Sequence, residues 1–204
     1  MTIRLHRGDL PDLSRYQVSA AIDTETLGLN PHRDRLCVVQ LSPGDGTADV
    51  VQIAPGQTTA PNLVRLLTDP TVDKIFHFAR FDVAVLAKTF GITVAPVYCT
   101  KIASRLTRTY TDRHGLKDLV KELLDVDLSK QQQSSDWAAE TLTDAQLTYA
   151  ASDVLHLHAL RTRLDERLAR EGRMGLADSC FRFLPTRAAL DLAGWAEEDI
   201  FAHS

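Results

Sequence analysis

Three short clusters in this 204-residue chain could do chemistry. Asp23 and Glu25 stand one residue apart at the end of an apolar run, Val18-Ser19-Ala20-Ala21-Ile22. Positions i and i+2 of a β-strand share a face, so both carboxylates would project into one cavity. Side by side they repel unless a cation or a proton lies between them. The second cluster is His77-Phe78-Ala79-Arg80-Phe81-Asp82, and the third is Tyr149-Ala150-Ala151-Ser152-Asp153. On a helix Tyr149 and Asp153 share a face, and the two alanines between them let another element approach closely. Asp23, Glu25, Asp82 and Asp153 are the oxygen set that two-metal phosphodiester hydrolysis needs, with the ions clamping the attacking and leaving oxygens. Hard oxygen donors suit Mg2+ or Mn2+, and no Cys/His cluster competes for zinc. Read singly, each cluster also fits a plainer role. Asp-Thr-Glu suits a solvated turn, and Asp82 a helix-start acid favoured by the helix dipole. His77 suits a bond to a backbone carbonyl, and Tyr149 a core position beside an exposed aspartate.

The elements that must hold these side chains follow from apolar patterning. Runs at 18–24, 36–41 and 49–53 are separated by Asn30-Pro31 and by Pro43-Gly44-Asp45-Gly46, which predicts an antiparallel meander of three strands. A helix is expected at 61–67, a fourth strand at 74–78, and a helix at 79–90 stopped by Gly91. A short fifth strand at 94–99 precedes helices at 101–109 and 115–124. Thr143-Asp144-Ala145-Gln146 has the form of a capping box and opens a long helix running to about Arg170. Strand hairpins together with strand–helix alternation predict an α/β fold with a mixed sheet. The segment 173–204 carries Phe181, Phe183, Leu184, Trp195, Ile200 and Phe201, as a docked terminal element or a subunit interface would.

Composition narrows the setting. Hydrophobic residues make up 44% and charged residues 25%, as in ordinary globular chains. There is neither an apolar run of membrane-span length nor a signal peptide, and the three cysteines are far apart, so a reducing cytoplasm and no membrane are expected. A net charge of −4 argues against coating long nucleic acid but not against a short ligand. From 101 to 121, Lys101, Arg105, Arg108, Arg113, Lys117 and Lys121 face only Asp112 and Asp118, a local +4 that suits phosphate or a solvated helix face.

The three clusters resemble the exonuclease motifs of the DEDD superfamily, and Tyr149 places the resemblance in its tyrosine subgroup, as in ribonuclease D. Agreement extends to Gly115-Leu116-Lys117-Asp118-Leu119, to the stretch from Lys130 to Trp137, and to Leu142-Thr143-Asp144-Ala145-Gln146-Leu147. One departure is Phe78, where such exonucleases usually carry Asn after the histidine. The chain is also similar to the nanoRNase C family of short bacterial exonucleases, including at Thr107-Arg108-Thr109-Tyr110-Thr111-Asp112-Arg113-His114-Gly115. The resemblance implies a ribonuclease H-like (DEDD exonuclease) mixed sheet flanked by helices. It also implies a single domain over 1–204, with a core at about 18–170, a helical tail at 173–204 and no accessory nucleic-acid-binding domain. Two divalent ions, Mg2+ or Mn2+, would be held by Asp23, Glu25, Asp82 and Asp153, with Tyr149 orienting the attacking water. Thr24, Leu29, His77, Lys130 and Gln133 would contact substrate. Leu29 matches a leucine that wedges between two bases, and Lys130 and Gln133 would cap a terminal phosphate or line a base pocket. The implied activity is hydrolysis of short single-stranded RNA, chiefly dinucleotides, to 5′-mononucleotides by a homo-octameric ring. Ribonuclease D-like trimming of longer RNA 3′ ends and a catalytically inactive RNA-binding scaffold are the alternatives.

Overall fold

The apolar runs become a six-stranded mixed sheet in a computed structural model that describes residues 2–129, 131–132 and 134–203. Its strands are β1 (Thr2–Arg7), β2 (Ser19–Thr26), β3 (Leu36–Ser42), β4 (Thr47–Gln52), β5 (Asp73–Phe76) and β6 (Val97–Cys99), in the spatial order β1-β4-β3-β2-β5-β6. The antiparallel meander is β2, β3 and β4, as the turn residues predict. β5 and β6 continue the sheet in parallel on the far side of β2. Every residue of β3 is buried, because helices cover both faces of this central strand.

β1 lies outside the strands that patterning predicts. Its sequence, Thr-Ile-Arg-Leu-His-Arg, has only two apolar residues and is largely exposed. It is an edge strand paired in parallel with β4, a place where charged side chains guard the free edge. Asp49 of β4 anchors it. This buried carboxylate accepts from Tyr16 at 2.6 Å and Arg15 at 2.7 Å, and meets His6 Nε2 at 2.9 Å.

The helices are α1 (Pro61–Thr68), α2 (Ala79–Phe90), α3 (Thr100–Thr107), α4 (Leu116–Leu124), α5 (Asp144–Leu155), α6 (Leu157–Arg170) and α7 (Met174–Leu190). The capping box forms as predicted, with the Thr143 and Gln146 side chains each bonded to the other's backbone N–H. The single long helix does not form. It breaks at His156, because its two halves bury different faces. Ala150, Ala151 and Val154 of α5 turn to the sheet, whereas Leu157, Leu160, Leu164 and Leu168 of α6 are buried where that helix meets α3 and α4. The tail docks: Phe181, Leu184 and Ala188 of α7 are buried, and α7 lies against α2, α3 and β6. Beyond a wider helical turn at Asp191–Trp195, Phe201 remains 76% exposed.

Removing the Asp49 carboxylate would strand a buried tyrosine hydroxyl and an arginine. Asp49→Ala should lower the unfolding free energy by roughly 2–4 kcal/mol, measured by urea titration. A loss within experimental error would show that β1 is held by its backbone ladder alone.

Candidate active site

β2 ends in the expected carboxylates. Asp23 and Glu25 point to the face covered by α5, and Thr24 between them points to the α2 side. Thr24 donates its hydroxyl to Asp82 Oδ1 at 2.6 Å, so this residue, expected to contact substrate, uses its side chain to hold the second cluster. Asp82 itself is buried in the first turn of α2. The third cluster arrives on α5: one carboxylate oxygen each from Asp23, Glu25 and Asp153 lie within 4.8 Å of one another. Tyr149 stands one helical turn from Asp153 on the same face of α5, and its ring lies 6.0 Å from buried Trp137.

Four carboxylates share a cleft of about 670 Å3 with little to neutralise them. Burial is the first cause of upward pressure on each, with mutual repulsion added for most of them. Asp23 lies well above the ordinary carboxylate range, raised by burial and then by Asp82, Asp153 and Glu25. Burial, Asp153 and Asp82 push Glu25 up to about 9. Burial lifts Asp82 and Asp153 to about 7 each, in Asp82 against the opposing hydrogen bond from Thr24. The same burial and carboxylates push the Tyr149 hydroxyl above its ordinary value, so it keeps its proton. This clustered set of hard oxygens fits divalent cations, which would relieve the repulsion.

One contributor lies outside the predicted site. Gln40 of β3 sits opposite Asp23 in the β2–β3 register and donates to Asp23 Oδ2 at 2.6 Å. Its signal in the sequence is a lone amide inside the apolar run Leu36-Cys37-Val38-Val39-Gln40-Leu41.

The rim carries the substrate candidates. The β2 register slips between Glu25 and Thr26, and the chain turns into a loop stapled by Leu27 N–H donating to Arg35 O and by Asn30 N–H donating to Asp34. Gly28 fits closely there, because a Cβ would collide with the Asp34 carboxylate and force that side chain to move. The loop presents Leu29 to the cleft, 87% exposed, so it is not a core leucine. His77 lines the cleft with Nδ1 2.9 Å from Thr100 Oγ1, and burial together with Lys101 pushes it down to about 3, so it stays neutral. Lys130 and Gln133 lie outside the described residues. The basic stretch does not act as one patch. Lys101 and Lys117 line the cleft, but Arg108 is buried against Glu122 and Lys121 pairs with Asp125 and Asp127.

Comparison with known proteins places the whole chain in a family. A family model described as 3′-5′ exonuclease matches residues 12–169. The structure is similar to Brucella melitensis NrnC with bound Mg2+, at 69% identity and a TM-score of 0.97 over 100% of both chains. It is equally similar to Brucella melitensis NrnC bound to pGG, at 70% identity and a TM-score of 0.98, again over 100% of both chains. Escherichia coli RNase D shares the fold at 27% identity and a TM-score of 0.75, over 85% of this chain and 46% of its own. Among curated sequences, Ribonuclease D of Gluconacetobacter diazotrophicus is 39% identical over 160 residues, which is 78% of this chain and 40% of that protein. The chain thus spans about two fifths of the first curated relatives it matches. The chain belongs to the 3′-5′ exonuclease family and to its ribonuclease D-like group, and it is similar to NrnC over its whole length.

Proposed function

We propose that this exoribonuclease hydrolyses very short RNA, chiefly diribonucleotides, to 5′-mononucleotides by a two-metal mechanism. The observation that carries the reading is the likeness over the full length of both chains to a protein solved with pGG bound. Exposed Leu29 beside the carboxylates supports it, since an apolar side chain held over a cleft suits contact with a base.

Asp23, Glu25, Asp82 and Asp153 are the proposed ligands of two divalent ions, Mg2+ or Mn2+, and the Brucella relative was solved with Mg2+ bound. When bound, such ions supply Lewis-acid stabilisation of the attacking and leaving oxygens. Gln40 and Thr24 fix the orientations of Asp23 and Asp82 through their hydrogen bonds. Tyr149, whose phenol has an ordinary pKa of about 10, would orient the attacking water beside Asp153 in preference to acting as its base. Leu29 meets the bases from the loop after β2, while Lys101 and Lys117 offer positive charge along the cleft wall. His77, neutral and bonded to Thr100, presents its ring to the substrate.

Residues 1–204 act as a single domain in this reading, in the cytoplasm. Among the described residues no helix is long and apolar enough to cross a membrane. A ring of eight copies rests on the family resemblance alone, and the exposed apolar side chains Trp195, Ile200 and Phe201 leave room for such contacts. Light scattering is expected to return the mass of eight chains, and a monomer mass at micromolar concentration would rule out the ring.

Substrate length is the direct test of function. Turnover of a diribonucleotide should exceed that of a long single-stranded RNA, and Leu29→Ala should raise KM for the dinucleotide by roughly tenfold or more. Equal or faster cleavage of the long RNA would favour ribonuclease D-like trimming instead.

The crowded carboxylates predict a pH dependence for the metal-free chain. Their folded-state pKa values lie above the unfolded ones, so protonation favours the folded state fully below about pH 4. That contribution is lost as pH rises through about 7 for Asp82 and Asp153 and about 9 for Glu25. In EDTA, melting temperature should fall across this window, and Mg2+ should restore it. Asp23→Asn should abolish hydrolysis yet raise the melting temperature in EDTA at pH 8 by roughly 3–6 °C, or about 1–2 kcal/mol. A destabilised Asp23→Asn, or one that still hydrolyses RNA, would contradict the assigned role.

A further inference from the structure

Phe78 stands between the second cluster's histidine and the helix that carries Asp82, and its backbone is in the left-handed region at φ 65°. That conformation suits glycine or asparagine and is strained for a phenylalanine. The ring cannot compensate as a helix cap, and no side-chain cap bond forms. Nor is it a core side chain: Phe78 is 47% exposed. It lines the same cleft as the four carboxylates and Leu29. Lys101 Nζ lies over the ring, 4.2 Å from its centroid.

A strained backbone that holds a large apolar ring half in water, at the edge of a cleft for nucleic acid, is explained by what the ring meets there. We infer that Phe78 is a stacking platform for a base of the short RNA, with Lys101 on one face of the ring and the base on the face left open to the cleft. Every base has a π-face, so such a platform tolerates any sequence. Together with exposed Leu27 and Leu29 it gives the cleft an apolar rim against which the bases of a dinucleotide would lie. The inference rests on the short-RNA reading and adds the base contact to it.

Phe78→Asn separates stacking from folding, because asparagine adopts the left-handed backbone more readily than phenylalanine. The variant should melt at or above the wild-type temperature. Its KM for the 5′-phosphorylated dinucleotide pApA should rise roughly 5- to 150-fold with kcat little changed. Phe78→Trp should retain the wild-type KM, and Phe78→Leu, which keeps apolar bulk without a π-face, should behave like Phe78→Asn. An analogue of pApA lacking the base that stacks on Phe78 should bind the wild type and Phe78→Asn equally. A KM in Phe78→Asn within about twofold of wild type, or a rise of the same size for analogues lacking either base, would overturn the inference. Failure of the wild type to cleave pApA would overturn the short-RNA reading together with it. Normal cleavage with an unmoved KM overturns the stacking role alone.

Discussion

The repulsion among Asp23, Glu25, Asp82 and Asp153 is the constraint around which this molecule is arranged. Four acids enclosed together are a poor way to stabilise a fold, and burial raises the pKa of each. What the fold supplies in return is rigidity. Asp23 and Glu25 ride on a strand with neighbours on both sides, Asp82 on a helix held by Thr24, and Asp153 on a helix opened by a full capping box. No one element could bear all four acids without losing its own stability. Three elements from distant parts of the chain share the burden, and their convergence makes the cluster a site and not a flaw.

The break at His156 serves that convergence. A straight helix through 144–170 would carry its apolar face off the sheet within a few turns. Ending α5 at Leu155 keeps Tyr149 and Asp153 over β2 and lets α6 turn to bury its own leucines. The slip in register after Glu25 does the same for the strand, turning the chain from the carboxylates into the loop that displays Leu29.

How much could be read from the chain alone varies with the physics of each part. The meander, α2 with its Gly91 stop and the capping box rest on local signals, and these appear in the structure where turn and cap chemistry put them. The acids were legible because their spacing matched one strand face and one helix face. β1 was not, since an exposed edge strand with only Ile3 and Leu5 as apolar residues gives too short an alternation to stand out. The break at His156 was hidden for another reason: it answers to two packing partners and is marked by neither proline nor glycine. The role of Gln40 depends on a cross-strand register, which a single strand's sequence does not state. The basic stretch could not be resolved from the chain, because charge counted along a sequence ignores pairing: Lys101 and Lys117 line the cleft, whereas Arg108 is paired with Glu122.

Asp191 connects the far end of the chain to this arrangement. It accepts two bonds from Arg80, two residues before Asp82, and also receives Arg187 from α7. Arg80 further donates to Ala196 O in the segment after α7. The C-terminal segment is therefore part of the foundation of the helix that bears Asp82, and a chain cut before residue 191 is not a smaller version of the same enzyme. The packing of that segment and the seating of α2 are mechanically linked variables, so evolution cannot retune one without disturbing the other.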